Sequence, residues 1–403
     1  HVGTFEDLLV ECRYCHRRFR ADEIGYNVSK EELATGVIST ESIKILSEDE
    51  RCPNPKCGEV ANFTSPRRFN LLFETQIGSI NAMDELYNNW RVLKNLGDNA
   101  ETEKLFATIQ DSTVYLRPET AQGMFVNFKN VLDATRRTLP FGIAQIGKAF
   151  RNEITPRDFI FRSREFEQME IEYFVRETEW GDHFNHWLDE MRKWIKDMGI
   201  DTEHVHELEV PDGERAHYSK RTVDFEYDFP FGRKELYGLA CRGDFDLRNH
   251  FKEPPYREEG SESFYPYVVE PSWGVDRTVL AILLSAYREE KNEKGTRIYL
   301  ALKPRLAPYK AAVFPLVANK PPLVEKAREV YRNLKAQHIN TAWDDRGNIG
   351  KRYYAQDEIG TPWCVTVDYQ TMEDDTVTVR ARDTAQQERI AEKELFAFFG
   401  AKL

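Results

Sequence analysis

The sequence predicts an α+β protein in which an antiparallel β-sheet is followed by a C-terminal α/β domain. Two strand-like runs, FGIAQIGKAF and EFEQMEIEYFV, flank the polar segment NEITPRDFIFRS, a pattern typical of two long antiparallel strands joined by a long hairpin. Beyond Lys303, strand-like and helix-like segments alternate over roughly 100 residues, which indicates a separate α/β domain. The prolines of LKPRLAPYK mark the boundary between the two parts.

Periodicity predicts the remaining elements. Residues 182–197 form an amphipathic helix whose core-facing side chains are Phe184, Trp187, Leu188, Met191, Trp194 and Ile195. Strands are expected at TVDFEYDF and KELYGLAC, and a helix, TVLAILLSAYREE, begins after SWGVDR. In the C-terminal domain we predict strands at AAVFPLV, WCVTVD and DTVTVR, a helix at LVEKAREVYRNLKAQ, and a last helix from about Thr384.

Composition places the chain among folded globular proteins. Its 403 residues are 41% hydrophobic and 31% charged, which suits two or three domains and excludes a disordered or collagen-like chain. An apolar run long enough to cross a membrane and a secretory signal are both absent from the sequence, so we expect a soluble, cytoplasmic protein. Because the chain opens on His1, we also expect that an upstream piece is missing from it.

The charge distribution bears on nucleic-acid binding. A formal net charge of −12 argues against a protein that coats nucleic acid non-specifically, because such binding needs a basic surface. Residues 301–403 carry 16 Lys and Arg against 14 Asp and Glu, so the excess of acid lies in residues 1–300. The C-terminal domain is therefore the more favourable part for contact with a nucleic acid.

Four of the six cysteines form two closely spaced pairs. Cys12 and Cys15 are separated by two residues, and Cys52 and Cys57 by four, while Cys241 and Cys364 stand alone. Two such pairs can supply four thiolates to a structural zinc ion, with no coordination position open for catalysis. The alternative is four reduced thiols at turns, since the second pair is wider than is usual for zinc.

Arginines and aromatic residues at both ends of the predicted hairpin indicate a nucleotide site. Arg151 in FRNE can grip a phosphate, and Phe166 in RSREF can stack on a purine. Arg277 in EPSWGVDR lies where a strand meets a helix, a position that also favours anions. Taken alone, such arginines are more often solvated charges.

Several motifs together resemble one enzyme family. FRNE followed by R-x-x-x-F resembles motif 2 of the class II aminoacyl-tRNA synthetases, and GVDR resembles the end of motif 3. Four segments closely resemble glycyl-tRNA synthetases of the homodimeric type: YLRPETAQGMFVNF, FRNEITPR, RSREFEQMEIEYF and EPSWGVDR. LKPRLAPYKAAVFPL and GKRYYAQDEIGTPWCVTVD are similar to that family's anticodon-binding domain, so the resemblance covers nearly the whole chain.

The resemblance implies a six- or seven-stranded antiparallel catalytic sheet, ATP with magnesium, and a homodimer. In the implied reaction, glycine attacks the α-phosphate of ATP to give glycyl-adenylate, and the glycyl group then passes to the 3′ end of tRNA(Gly). We expect residues 1–63 to hold the cysteine-rich insert, and residues 64–300 to form the catalytic domain with an inserted subdomain at about 176–222. Residues 301–403 would bind the anticodon.

Site residues follow from matching positions. By resemblance, Arg151 binds the α-phosphate, Arg277 the γ-phosphate, and Phe166 stacks on adenine. The other ATP contacts implied are Asn152, Glu153, Phe161, Arg162, Ser163, Glu235, Leu236 and Gly274. The glycine contacts implied are Glu119, Glu170, Arg242, Glu270, Ser272 and Arg20.

The chemistry of glycine agrees with this set of residues. Glycine offers only an ammonium, a carboxylate and two hydrogens, so selection depends on charge and on the exclusion of larger side chains. Three carboxylates around one ammonium make a cation-seeking site, although each glutamate alone would be read as a solvated surface group. Because every competitor is larger than glycine, we expect no editing domain.

Two departures and two alternatives remain. Motif 1 of the family, which normally precedes the segment HVGTFEDLLVEC, is not found in this sequence, so dimerisation is expected from the family alone. The residues around Asp276 also depart from the general motif 3. The first alternative is a non-catalytic relative that binds nucleic acid, which would be expected to lose Arg151 and Arg277. The second is a related synthetase for Ser, Thr, Pro or His, which amino-acid dependence would reveal.

Overall fold

The computed structural model describes residues 6–21, 24–25, 51–60, 62–77, 107–260, 262–292 and 295–402. Its strands are β1 (Glu6–Glu11), β2 (Arg18–Arg20), β3 (Arg67–Asn70), β4 (Glu74–Gln76), β5 (Thr113–Tyr115), β6 (Phe141–Phe150), β7 (Glu165–Val175), β8 (Val205–Glu209), β9 (Arg221–Phe229), β10 (Gly232–Gly243), β11 (Tyr267–Gly274), β12 (Tyr287–Asn292), β13 (Gly295–Leu300), β14 (Ala311–Pro315), β15 (Thr341–Trp343), β16 (Trp363–Val367), β17 (Thr376–Ala381) and β18 (Gln387–Ala391). The helices within these residues are α1 (Ala121–Val126), α2 (Phe128–Thr135), α3 (Trp180–Asp197), α4 (Phe245–His250), α5 (Val275–Ala286), α6 (Pro321–Ala336), α7 (Ile349–Glu358), α8 (Thr371–Asp374) and α9 (Leu395–Lys402).

The chain divides into two compact units. The first comprises His1–Trp180, Val210–Thr222 and Tyr237–Arg277, and the second comprises Gly181–Glu209, Val223–Leu236 and Thr278–Leu403. Within the described ranges, no helix combines the length and the apolar character that crossing a membrane requires.

In the first unit, four neighbouring strands run antiparallel in the order β6-β7-β11-β10. Strands β6 and β7 pair from Phe141 opposite Phe174 to Phe150 opposite Glu165, which confirms the predicted pair of long strands. Beside them lies a core of aromatic and aliphatic side chains that includes Phe125 and Phe128 of α1 and α2. A smaller sheet has the order β2-β1-β3, and Cys12 and Cys15 lie between its central strand β1 and β2.

In the second unit, the C-terminal residues form the predicted α/β domain. Its mixed five-stranded sheet has the order β15-β14-β16-β17-β18, with β14 parallel to both β15 and β16 and the last two strands antiparallel. Helix α6 buries Leu323, Ala327, Val330 and Leu334 against this sheet, as the periodicity predicted. The same unit holds α3 and the antiparallel pair β8–β9.

Two predicted helices differ from the structure. The last helix was expected from about Thr384, but residues 387–391 form β18, which pairs with β17, and α9 begins only at Leu395. The polar run QQERIAEKE has a helical composition, yet pairing with an open strand edge overrides that local preference. Helix α5 begins at Val275, inside SWGVDR, and ends at Ala286, because the following YREEKN pairs with β13.

A buried ion cluster in the second unit joins β13 to the C-terminal sheet. The carboxylate of Asp357 is fully buried and accepts hydrogen bonds from Arg297 Nε at 3.0 Å and from Arg380 Nη1 and Nη2 at 2.9 and 3.0 Å. Arg297 lies on β13 and Arg380 on β17. Removing one member of such a cluster leaves a buried charge without compensation.

We predict that Asp357→Asn lowers the free energy of unfolding by about 3–5 kcal/mol, because two buried guanidinium groups lose their shared anion. Urea unfolding of the full chain measures this loss. The matched control is Asp383→Asn, since Asp383 pairs with Arg382 at 2.7 Å but is 62% exposed; its loss should be at most about 1 kcal/mol. Equal losses in the two variants would contradict the assignment.

Candidate active site

One face of strand β7 is polar although it is buried. Every second side chain from Gln168 to Phe174 is buried, and three of these four, Gln168, Glu170 and Glu172, are polar. On the neighbouring strand, Ser272 lies opposite Glu170, and Glu270 lies opposite Ala240 of β10. Buried polar groups require partners, so this face of the sheet differs from an ordinary apolar core and is a candidate site.

The carboxylate of Glu170 is held by a set of donors. It is 3% exposed and accepts hydrogen bonds from the Thr120 backbone N–H at 3.1 Å, from Gln168 Nε2 at 3.0 Å and from Ser272 Oγ at 2.9 Å. The Thr120 hydroxyl also donates to it. These bonds fix the orientation of the carboxylate, and they bring together the predicted residues Glu170 and Ser272.

Arg242, one of the predicted glycine contacts, is 1% exposed. Its Nε and Nη2 donate to Asp246 at 2.7 and 3.0 Å, and its Nη1 donates to both oxygens of Glu270 at 2.9 and 3.0 Å. The guanidinium carbon lies 4.1 Å from the centre of the Tyr218 ring. Its nitrogens face Glu270 and Asp246, because a buried guanidinium needs these anions; the predicted contact of Arg242 with glycine stays a prediction.

Burial changes the acidity of the neighbouring carboxyl groups. It raises the pKa of Glu270 to about 7, against the opposing effect of Arg242. It raises the pKa of Glu172 well above the usual range, and neither carboxyl oxygen of Glu172 has a hydrogen-bond partner. Glu172 is therefore expected to be protonated at neutral pH. The third predicted carboxylate, Glu119, is half-buried and accepts a hydrogen bond from Gln122 Nε2 at 3.0 Å.

The two arginines predicted to bind phosphates each lie over an aromatic ring. The guanidinium of Arg151 is 5.4 Å from the centre of the Phe166 ring, and its Nε donates to the Pro118 carbonyl at 3.1 Å. The guanidinium of Arg277 is 4.3 Å from the centre of the buried Phe161 ring. The predicted residues thus form two cation–π pairs, Arg151 with Phe166 and Arg277 with Phe161. A cation–π contact orients the guanidinium without neutralising its charge.

Further contacts fix the loop between β6 and β7 and the turn that follows β11. Arg162 pairs with Glu153 at 3.2 Å, and Ser163 Oγ donates to the Glu165 carbonyl at 2.8 Å. Asp276, in the first turn of α5, accepts a hydrogen bond from the Glu167 backbone N–H at 3.0 Å through Oδ2. Its carboxylate thus ties α5 to the start of β7. Gly274, the last residue of β11, leads directly into this turn.

Three further predicted site residues are Glu235 and Leu236 on β10 and Arg20 on β2. Glu235 and Leu236 belong to the second unit, where Leu236 is 1% exposed and Glu235 adds to the effect of burial that raises the pKa of Asp224 to about 7. Arg20 lies on β2 in the small sheet and pairs with Asp7 at 3.4 Å.

Sequence reasoning missed Thr120, Gln168, Glu172 and Asp246 as members of this site. Two of them carried a readable signal, because Gln168 and Glu172 flank Glu170 at a spacing of two on a predicted strand and must share its face. Asp246 lies four residues after Arg242, at the beginning of a short helix, and Thr120 follows the predicted Glu119 directly. Their pairing with residues far along the chain has no local signal.

The four paired cysteines meet in space, as the zinc prediction requires. Their sulfur atoms all lie within 4.8 Å of one another, with Cys12 and Cys57 at 4.0 Å and Cys15 and Cys52 at 3.7 Å. None of them forms a disulfide. Zinc–sulfur bonds of about 2.3 Å in a tetrahedron place the sulfur atoms about 3.8 Å apart, so this donor set fits such an ion.

Known protein families match both parts of the chain. Residues 106–287 match the tRNA synthetase class II core domain (G, H, P, S and T), and residues 310–402 match an anticodon binding domain. The glycine–tRNA ligase of Malacoplasma penetrans is 46% identical over 98% of this chain and 80% of its own length. Those of Alkaliphilus oremlandii and Thermobifida fusca are 43% and 44% identical, each over 100% of this chain and 82% of their own lengths. With this identity along nearly its whole length, the chain belongs to the glycine–tRNA ligase family of class II aminoacyl-tRNA synthetases.

Proposed function

We propose that this chain is a glycine–tRNA ligase that activates glycine with ATP and magnesium and transfers the glycyl group to the 3′ end of tRNA(Gly). The observation that carries the proposal is the polar face of β7 and β11. Glu170, Ser272 and Glu270 lie together on it, and Phe166 lies near the start of β7 with the guanidinium of Arg151 over its ring. The proposed ammonium contact Glu170 and the proposed adenine contact Phe166 therefore lie on one strand.

The first step joins the carboxylate of glycine to the α-phosphorus of ATP, and pyrophosphate leaves. The substrate provides the nucleophile, so the protein needs no serine or cysteine for this step and contributes positioning and charge. Arg151 would neutralise the α-phosphate, Arg277 would hold the γ-phosphate, and Phe166 would stack on adenine. Magnesium bound with ATP would balance further phosphate charge.

The glycine ammonium would be bound by the carboxylates of Glu170, Glu119 and Glu270. Arg242 acts in this scheme as a positioning residue, because its bidentate bonds to Glu270 fix that carboxylate. A methyl group on the substrate would have to enter a filled pocket, which reduces activity by about 10- to 200-fold per added carbon. The roles of Asn152, Glu153, Phe161, Arg162, Ser163, Glu235, Leu236, Gly274, Ser272 and Arg20 stay proposals from the family resemblance.

The C-terminal residues 301–403 would bind the anticodon of the tRNA. The matched family model supports this role, since it covers residues 310–402. The catalytic domain would be residues 64–300, with residues 176–222 as an inserted subdomain and residues 1–63 as the cysteine-rich region. We further propose a homodimer that works in the cytoplasm, where translation consumes charged tRNA.

We also propose that Cys12, Cys15, Cys52 and Cys57 hold a structural zinc ion. The sulfur distances support this, and so does the burial of Cys12 and Cys52 beside Val10 and Phe63. Four thiolates would fill the coordination sphere, so the ion would have a structural and not a catalytic role.

We expect pyrophosphate exchange into ATP with glycine alone when all twenty amino acids are tested separately. Glu170→Gln should lower kcat/KM for glycine by about 100-fold or more, because an ammonium loses a desolvated carboxylate. The KM for ATP should stay close to that of the unchanged protein. Exchange with a different amino acid would contradict the assignment of the pocket to glycine. A folded protein without exchange would favour the non-catalytic relative.

The matched control is Glu172→Gln, which makes the same change two residues along the same face of β7. Because Glu172 is expected to be neutral, replacing its carboxyl group by an amide should change kcat/KM for glycine by less than about threefold. Equal losses at positions 170 and 172 would contradict the different roles proposed for these two carboxyl groups.

We predict a pH dependence from Glu270, whose pKa burial raises to about 7. Below that pH the group is protonated and loses its charge toward the ammonium, so kcat/KM for glycine should fall by up to about tenfold per pH unit. It should level off above about pH 8. The exchange assay at saturating ATP measures this profile. In Glu270→Gln the activity should be lower and the bend near neutral pH should be absent.

We expect one zinc ion per chain in protein purified without chelator, measured by atomic emission. Cys52→Ser should reduce the zinc content to below about one tenth, because three ligands hold a structural ion poorly. Cys241→Ser is the matched control, since this buried thiol lies outside the cluster and its change should leave the metal content as it is.

A further inference from the structure

The segment that follows β6 is hydrogen-bonded at both ends to the small sheet β2-β1-β3. The Asn152 backbone N–H donates to the Leu71 carbonyl at 2.7 Å, just beyond β3, and Asn152 Nδ2 donates to the Asn70 carbonyl at 3.4 Å. Three residues later, Thr155 Oγ1 donates to the Arg18 carbonyl on β2 at 3.1 Å. Residues 152–155 therefore lie along this sheet.

Residues of the same sheet share a buried core with the cysteine cluster. Cys12 follows β1, and the turn to β2 is closed by the Cys12 N–H donating to the Arg17 carbonyl and the His16 N–H donating to the Cys12 carbonyl, both at 2.9 Å. His16 takes a left-handed backbone conformation with φ of 55°, which is uncommon for a residue other than glycine. In the described part of this region, the buried core is Val10, Cys12, Ala21, Cys52 and Phe63.

We propose that the cysteine cluster is a positioning element for the ATP site, and that Thr155 carries its effect to the residues that bind the nucleotide. A metal bound by the four cysteines would fix the turn between β1 and β2, and so the Arg18 carbonyl. The bond from Thr155 then fixes the chain next to Glu153 and Arg151. This inference rests on the proposed synthetase function and on the proposed metal.

The geometry makes the effect selective for ATP. Arg151 and Glu153, both predicted to contact ATP, flank Asn152 directly and share its attachment to the small sheet. The carboxylate of Glu170 is held by Thr120, Gln168 and Ser272. None of these three residues lies in the small sheet. Loosening the cysteine cluster should therefore weaken ATP binding and leave glycine binding as it is.

The experiment compares Cys15→Ser, Thr155→Val and the double variant with the unchanged protein. The matched control is Thr135→Val, which removes a similar bond, from an exposed threonine hydroxyl to the Val131 carbonyl in α2. Each protein is tested for zinc content, for the KM values of ATP and glycine in pyrophosphate exchange, and for amide hydrogen exchange of residues 152–155. The last readout does not depend on activity.

Thr155→Val should keep its zinc, raise the KM for ATP about threefold and leave the KM for glycine unchanged, since one exposed hydrogen bond is lost. Cys15→Ser should lose zinc, raise the KM for ATP about tenfold or more and speed amide exchange at Asn152. The double variant should resemble Cys15→Ser, because both changes act on one path. Thr135→Val should behave like the unchanged protein.

Three results would overturn the inference. The first is a Cys15→Ser protein that loses zinc but keeps its KM for ATP and its amide exchange at residues 152–155. The second is an equal rise of both KM values, which would indicate general loss of structure. The third is an unchanged protein that holds no metal. Absence of glycine-dependent exchange from the unchanged protein would instead reject the proposed function, and the zinc and amide readouts would still test the coupling.

Discussion

The site depends on one desolvated cation, the guanidinium of Arg242. It holds Glu270 of β11 on one side and Asp246 of α4 on the other, and the Tyr218 ring covers its flat face. Taking a guanidinium out of water is unfavourable unless each nitrogen finds an acceptor, and this arrangement supplies them. Because the carboxylates are fixed by the same bonds, an acidic pocket can exist inside a sheet that would otherwise need apolar side chains.

Carboxyl groups along one face of β7 and β11 have different environments. Glu170 receives several donors and Glu270 receives Arg242, while Glu172 has no hydrogen-bond partner. Burial without a counter-ion favours the neutral acid, so the face can hold three carboxyl groups without three full negative charges. The negative charge available to bind a small cation therefore depends on which carboxyl groups have hydrogen-bond donors or a counter-ion, and not on the number of acidic residues.

The sequence was sufficient for elements whose pattern is local. Strands β6 and β7 alternate over ten or more residues, helix α6 shows a clear apolar face, and the motif words identify Arg151, Arg277 and Glu170. Contacts between distant segments had no such signal. Thr120 and Glu170 lie fifty residues apart, and the hydrogen bonds between them follow only from the fold. Strand β18 was missed for the same reason, because its partner strand decides its conformation.

The ion cluster around Asp357 has a consequence for where the C-terminal part begins as a folding unit. Arg297 of β13 reaches Asp357 of α7, and Arg382 Nη2 donates to the Leu302 carbonyl at 2.8 Å. The stretch before Ala311 is thus fastened to the sheet that follows it and does not act as a free tether. A fragment cut at residue 301 would carry a buried Asp357 that has lost one of its two cations. A stable fragment that contains the anticodon-binding domain should therefore also include β13, which carries Arg297.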